Sequence, residues 1–197
     1  MKAAFGLLFT LLIAGCGPTL APAAAISPGP SQGPASATRI QQAPVSPPTA
    51  PGTNLPAFAC ADAAGGKAGV ASVTTARVAA QVGYDRFVLQ FDALVPSYTV
   101  KRQPTPTFAF GGSGQTITLS GTSGVLVRVH PAYAANTFTG PTDLTHGEYP
   151  VLKEARQTED FEGYVSWGLG LGKAACMRTF TLTDPSRLVV DFSTASS

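Results

Sequence analysis

The stretch Phe87-Val88-Leu89-Gln90-Phe91 decides the fold, because its large apolar residues recur with a period of two. Side chains alternate between the two faces of a β-strand, so Phe87, Leu89 and Phe91 share one face. No segment after Cys60 keeps the period of an α-helix for long. The pattern therefore predicts a strand with one buried face in an all-β domain.

The same period recurs at Val125-Leu126-Val127-Arg128-Val129, where the three valines share a face and Arg128 and His130 lie opposite. Near the C terminus, residues 188–192 alternate in the same way. Further segments of this kind are predicted strands, namely residues 73–82, 98–103, 115–119, 151–158, 164–171 and 177–182.

Turn residues separate these segments. Glycine, proline and aspartate cluster at 82–85, 111–114, 121–124 and 183–186, which predicts tight connections there. About eight or nine short strands with such turns predict an antiparallel β-sandwich. Residues 131–150 show no clear period and predict an extended loop across one end of the sandwich.

The charge of the predicted domain excludes one class of partner. Residues 71–193 contain three lysines and seven arginines against six aspartates and four glutamates. Nucleic-acid-binding domains normally carry a basic face. We therefore expect no nucleic-acid partner.

The N terminus has the features of a signal peptide. A short apolar run follows Lys2 and ends in Leu11-Leu12-Ile13-Ala14-Gly15-Cys16. The run is too short to span a bilayer, which needs roughly 20 apolar residues. An ordinary secretory signal would be cut elsewhere, near Ala21 or Ala25, where small residues are also frequent.

The segment ending in Cys16 resembles the lipobox of bacterial lipoprotein signal peptides. The resemblance implies that residues 1–15 are removed and that Cys16 carries a diacylglycerol and further acyl chains such as palmitate. Two or three acyl chains anchor a protein stably without a transmembrane helix. We therefore expect an extracytoplasmic protein held by lipid in the cell membrane or the outer membrane.

Residues 16–59 are predicted to be a disordered linker between this cysteine and a domain at residues 60–197. Residues 17–59 contain ten prolines and a single charged side chain, Arg39. Such a segment cannot bury enough apolar surface to offset its ordering entropy. Proline-rich chains act as semi-rigid spacers, with a reach here of roughly 35 Å to about 130 Å.

Two cysteines remain after Cys16, at positions 60 and 176. In an oxidising compartment they suggest a disulfide between Cys60 and Cys176. Two free, buried thiols are the alternative.

Three motifs in the predicted domain resemble, in the same order, the strands of the AMIN-like domain family. The family patterns are "G-[FY]-D-R-[VM]-V-F-E-F", "F-E-G-x-x-[ST]-[WF]-G-[IVL]-G-[VL]" and "D-P-x-R-L-V-V-D-[VF]". In this chain they correspond to residues 83–91, 160–171 and 184–192. The resemblance covers roughly residues 70–193 and implies a β-sandwich related to AMIN domains, which localise envelope proteins by binding the cell wall.

The family motifs also have a structural interpretation. Asp85 and Arg86 are expected to pair with Arg187 or Asp191 across the edge of the sandwich. We expect the aromatic residues of the second motif to lie in the core, and its glycines to allow a bulge or close packing. Those residues are Phe161, Trp167, Gly163, Gly168 and Gly170, and the same holds for Gly172 directly after the motif.

No catalytic set emerges, and we expect no enzyme, cofactor or metal site. The run Gly168-Leu169-Gly170-Leu171-Gly172-Lys173 lacks the spacing of a phosphate-binding loop. His130 and His146, with Asp143 and Glu148, are the nearest approach to a metal set, and surface positions explain them better.

A binding site is easier to predict, because amphipathic rings and hydrogen-bonding groups are frequent near the loops. The candidate ligand-binding residues are Tyr98, Arg128, Tyr133, Asn136, Tyr149 and Tyr164. Such mixtures suit peptidoglycan or another envelope glycan. The alternatives are a protein-interaction module that recruits an envelope protein through a strand edge and a cryptic cell-wall hydrolase.

Overall fold

The computed structural model describes residues 54–195, and its secondary structure is almost entirely β. The described chain contains thirteen strands and one short 3₁₀ turn, Gly111–Ser113. The strands are β1 (Ala63–Gly65), β2 (Ala71–Gln81), β3 (Tyr84–Phe91), β4 (Tyr98–Gln103), β5 (Thr107–Phe110), β6 (Gln115–Thr118), β7 (Ser123–Val129), β8 (Ala132–Tyr133), β9 (Asp143–Thr145), β10 (Leu152–Phe161), β11 (Tyr164–Leu171), β12 (Met177–Leu182) and β13 (Arg187–Ser193).

Two main sheets face each other. One has six strands in the order β1-β4-β7-β11-β10-β9, and the other has five in the order β12-β13-β3-β2-β8. A third, two-stranded sheet is the hairpin of β5 and β6. All strand pairs are antiparallel except β2 with β8.

The core lies between the inner faces of the two main sheets. Phe87 on β3 and Trp167 on β11 come from opposite sheets, and their ring centroids are 5.6 Å apart. Both side chains are fully buried, as are the valines of β7 that the sequence placed on one face. The predicted antiparallel β-sandwich is confirmed.

All nine predicted strand segments are strands, and the connections predicted at 82–85 and 183–186 are turns. The described residues hold more strands than the eight or nine expected, because β1, β5, β8 and β9 have only two to four residues each. Segments this short carry too few alternating positions to be recognised. Two of them, β8 and β9, lie within the 131–150 stretch that was predicted to be a loop.

The β5–β6 hairpin packs on the outer face of the six-stranded sheet. Phe108, on β5, is buried against two glycines of that sheet. A Cβ atom would lie 2.8 Å from the Phe108 ring at Gly124 and 2.6 Å from it at Gly168. Gly168, in the second motif, therefore allows close packing, as predicted.

The start of the domain is attached to β12. Cys60 and Cys176 form a disulfide, and the backbone of Ala59 exchanges two hydrogen bonds with Met177, at 2.8 and 2.9 Å. The signal peptide, Cys16 and the linker up to residue 53 lie outside the described residues. Within residues 54–195, no helix is long and apolar enough to cross a membrane.

Candidate functional site

Two of the predicted ligand-binding residues, Arg128 and Tyr164, lie together on the outer face of the six-stranded sheet. The guanidinium carbon of Arg128 lies 5.3 Å from the centre of the Tyr164 ring. The imidazole of His130 stacks on the same ring, with 4.0 Å between centroids. These three side chains form an amphipathic surface, with ring faces beside a fixed positive charge.

A row of polar side chains continues from Arg128 across neighbouring strands. The Nε atom of Arg128 donates to Ser166 Oγ at 3.2 Å, and its Nη2 donates to Glu159 Oε2 at 3.0 Å. Ser166 Oγ donates to the same Glu159 oxygen at 2.7 Å. The three residues are direct cross-strand neighbours on β7, β11 and β10. The strand register therefore fixes the position of each group.

Tyr133 joins this cluster at the β10–β11 turn. A Cβ atom at Gly163 would lie 3.7 Å from the Tyr133 hydroxyl and 3.7 Å from the imidazole of His130. Tyr133 is 53% exposed. It therefore adds a second accessible phenol beside the ring pair of His130 and Tyr164.

The other predicted residues differ in their position. Tyr98 is buried at 9% exposure, and burial raises the pKa of its phenol, but it also lines the cavity formed by Arg128, His130 and Tyr164. Asn136 is exposed in the turn after β8. Tyr149 stacks on His146, with 4.4 Å between centroids. The structure thus brings Arg128, Tyr133 and Tyr164 together with Tyr98 beneath them, and Asn136 and Tyr149 lie elsewhere.

Three contiguous cavities form what we call the transverse groove, because it crosses the strands of the six-stranded sheet. A cavity of about 150 Å³ at the ring cluster shares Arg128 with a cavity of about 160 Å³ below β5. That second cavity shares Gly111, Thr158 and Glu159 with a third, of about 230 Å³, near Phe110. The groove therefore leads from the ring cluster, alongside the hairpin, to strand β10.

Thr158 lines the groove, and no pattern in the sequence marked it as a candidate site residue. Thr158 is the extra residue of a β-bulge, since Gln157 pairs with Trp167 and Glu159 pairs with Ser166. Such a bulge re-aims side chains and often lies near functional sites. Only the pairing of β10 with β11 shows that it exists.

A larger cavity, of about 350 Å³, shares Tyr98 with the cavity at the ring cluster. Its walls include Leu94, Tyr98 and Thr181, and Lys67 is its only charged lining residue among the described residues. We place the candidate site in the groove because the groove brings together Arg128 and Tyr164, two of the predicted ligand-binding residues.

The family motifs on the five-stranded sheet stabilise the fold. Asp191 is fully buried and accepts hydrogen bonds from Arg86 and Arg178. Its hydrogen bond with Arg86 raises the pKa of that guanidinium above the ordinary value. The expected pair of Arg86 and Asp191 is therefore present.

Two expectations for the motif residues are wrong. Asp85 pairs with neither Arg187 nor Asp191; its Oδ2 accepts from the backbone N–H groups of residues 151 and 152, at 2.6 and 2.9 Å. Phe161 is 54% exposed at the β10–β11 turn, whereas Trp167 is in the core as expected. Phe161 is the cross-strand partner of Tyr164 and therefore lies on the outer face of the sheet, so its apolar character alone did not decide its burial.

The histidines do not form a metal site within residues 54–195. His146 Nδ1 lies 2.9 Å from Glu148 Oε1, and this hydrogen bond lowers the pKa of the glutamate. The described part of the chain contains no group of three or more metal-ligating side chains that could hold an ion.

A comparison with known protein families matches the part of the chain that contains the three motifs. A protein-family model described as the AMIN-like domain matches residues 71–194. The match runs from the first residue of β2 to just beyond β13 and includes the transverse groove. No curated protein matches the chain.

Proposed function

The chain belongs to the AMIN-like domain family, and from this premise we propose that it is a lipid-anchored envelope protein that binds cell-wall polymer without catalysis. Membership of the family indicates a non-catalytic binding module of the extracytoplasmic envelope. The polymer we propose is peptidoglycan or another envelope glycan. Fold-level analogy does not identify a ligand, so the proposal depends on the groove.

The observation that carries the proposal is the cluster of Arg128, His130 and Tyr164. Its ring faces suit the apolar faces of sugars, and its guanidinium suits hydroxyl and carboxylate groups. Glu159 and Ser166 hold the guanidinium in place. A binding group that is already fixed loses little conformational entropy when the ligand arrives.

The lipid anchor and the linker in this proposal are argued from the sequence. A lipid at Cys16 would fix the protein to a membrane, and the linker at 16–59 would let the domain reach the wall. Metabolic labelling with a palmitate analogue tests the anchor. We expect label on the natural protein and none on Cys16→Ala, whereas equal labelling of both would contradict a lipid at this position.

Wall binding is tested by co-sedimentation of the detergent-solubilised full-length protein with purified peptidoglycan. We expect the natural protein to sediment with the polymer and Arg128→Ala to bind about tenfold more weakly, equivalent to roughly 1.4 kcal/mol. The loss is expected because the substitution removes the charge beside the Tyr164 ring and leaves Glu159 without its ion-pair partner.

The matched control is Arg77→Ala. Arg77 is also an exposed strand arginine with a side-chain partner, Gln90, at 2.7 Å, but it lies on the other main sheet. Its substitution should leave sedimentation unchanged. If the natural protein does not sediment with peptidoglycan, the proposed function is wrong; if both variants bind equally, the groove is not the site.

A further inference from the structure

We propose that the transverse groove holds a linear stretch of glycan chain, laid across the strands of the six-stranded sheet and bounded on one side by β5. This inference rests on the proposed function and specifies which part of the wall polymer is bound. It assigns recognition to the sugar backbone and not to the peptides attached to it.

The dimensions of the groove fit an extended oligosaccharide better than a single sugar. The row of neighbours Thr99, Arg128, Ser166 and Glu159 crosses four adjacent strands. Neighbouring strands are about 4.8 Å apart, so this row is roughly 14 Å long. Adjacent cavities along the row share lining residues, which is the arrangement expected where one extended ligand runs past Arg128 and Glu159.

Both ends of the groove carry aromatic rings. The ring pair of His130 and Tyr164 lies at one end. At the other end Phe110, 39% exposed, lies with its ring centre 5.7 Å from the guanidinium carbon of Arg156. Rings at both ends with hydrogen-bonding groups between them suit a chain of pyranoses, which presents apolar faces and many hydroxyls.

Thr158 provides the most specific observation, because its hydroxyl is buried without a partner. The residue is 3% exposed, it lines two of the three cavities, and its Oγ1 has no hydrogen-bond partner among the described residues. Buried polar groups are almost always hydrogen-bonded. A sugar hydroxyl in the groove would supply the missing partner.

Strand β5 forms the wall of the groove and has one unpaired edge, since the hairpin contains only β5 and β6. An extended peptide could in principle pair with such an edge, but it would also need pockets for alternate side chains. The groove offers mainly hydrogen-bonding side chains instead, including Gln103, Arg128, Thr158 and Glu159. This composition favours a glycan over a peptide.

The test measures binding of the full-length protein to chitooligosaccharides, which have an N-acetylated pyranose backbone and no peptide. We expect affinity to rise from the dimer to the hexamer by about tenfold, as successive sugars fill the cavities. Equal affinities for the dimer and the hexamer would overturn the inference. The inference would also be overturned if a soluble wall peptide displaced the protein from peptidoglycan and the chitin hexamer did not.

The decisive variant is Thr158→Val, which removes the hydroxyl and keeps the shape of the side chain. Because one hydrogen bond to the ligand is lost, we expect hexamer binding to weaken roughly fivefold, while the thermal midpoint should not fall, since the removed hydroxyl has no partner within the described residues. The matched control is Thr179→Val, since the Thr179 hydroxyl is also unpartnered but lies on β12 of the other sheet.

Equal binding by the two threonine variants would overturn the inference. Failure of the inference is distinguishable from failure of the proposed function. If the protein sediments with peptidoglycan but its affinity depends neither on chain length nor on Thr158, the proposed function stands and the glycan groove is wrong. If the protein does not sediment, both proposals are wrong.

Discussion

Asp191 shows how a single residue of a family motif contributes to the fold. Its two carboxylate oxygens accept three hydrogen bonds of 2.6–2.9 Å from Arg86 and Arg178. The two guanidinium groups lie over the rings of Phe58, Tyr84 and Phe180. One buried carboxylate therefore holds a layer of cations and rings on the outside of the five-stranded sheet.

We predict that Asp191→Ala lowers the free energy of unfolding by about 3 kcal/mol, because it leaves two partly buried arginines without their counter-ion. Urea denaturation monitored by Trp167 fluorescence measures the loss. Asp143→Ala is the control, since its ion pair with Arg156, at 3.2 Å, is exposed and worth less than about 1 kcal/mol. Equal losses in the two variants would contradict the proposed role of Asp191.

Aromatic residues show where reasoning from single residues is insufficient. Phe161 was predicted to be buried and is exposed. It pairs with Tyr164 and therefore lies on the outer face of the six-stranded sheet, whereas Tyr98 pairs with the buried Val129 and lies on the inner face. The register between strands decides which face each ring occupies, and residue type alone does not.

At the scale of elements, the β5–β6 hairpin shapes the outer face of the six-stranded sheet. Phe108 anchors it by packing over Gly124 and Gly168. Beyond β6, Glu154 Oε2 accepts from the backbone and hydroxyl of Ser120, at 2.7 and 2.8 Å. These contacts hold the hairpin against the sheet, and its first strand becomes the wall of the transverse groove.

We predict that Gly168→Ala destabilises the protein by about 1–3 kcal/mol, because a Cβ would overlap the Phe108 ring and overpacking strains a close contact. Hydrogen exchange should become faster at the amides of β5 and β6. Gly147→Ala is the control, since no heavy atom lies within 4 Å of its added Cβ, and we expect a change within about 0.5 kcal/mol. Unchanged exchange in Gly168→Ala would show that the glycine does not seat the hairpin.

At the scale of the whole molecule, the disulfide of Cys60 and Cys176 joins positions 116 residues apart in sequence. It connects the start of the domain to β12, next to the backbone pair of Ala59 and Met177. The covalent bond therefore fixes the first residues of the domain beside the first residue of β12.

We predict that reduction lowers the free energy of unfolding by roughly 5 kcal/mol, the chain-entropy value for a loop of this length. Urea denaturation with and without reductant measures the difference. A variant with both Cys60→Ser and Cys176→Ser should match the reduced protein and be insensitive to reductant. A reductant effect of similar size in that variant would mean that another cause is responsible.

The sequence by itself determined the class of fold and the position of each long strand, because the alternation of apolar residues is local and the core imposes it directly. It also indicated the family, whose motifs lie on β3, β10, β11 and β13. The sequence suggested the disulfide but left two free thiols open, and the structure shows the bond. Only the tertiary structure decided the geometry of the candidate site. This geometry depends on the register between strands that are distant in sequence, and register is a property of the assembled sheet. The register sets the row from Arg128 to Glu159, the bulge at Thr158 and the packing of the hairpin on the sheet.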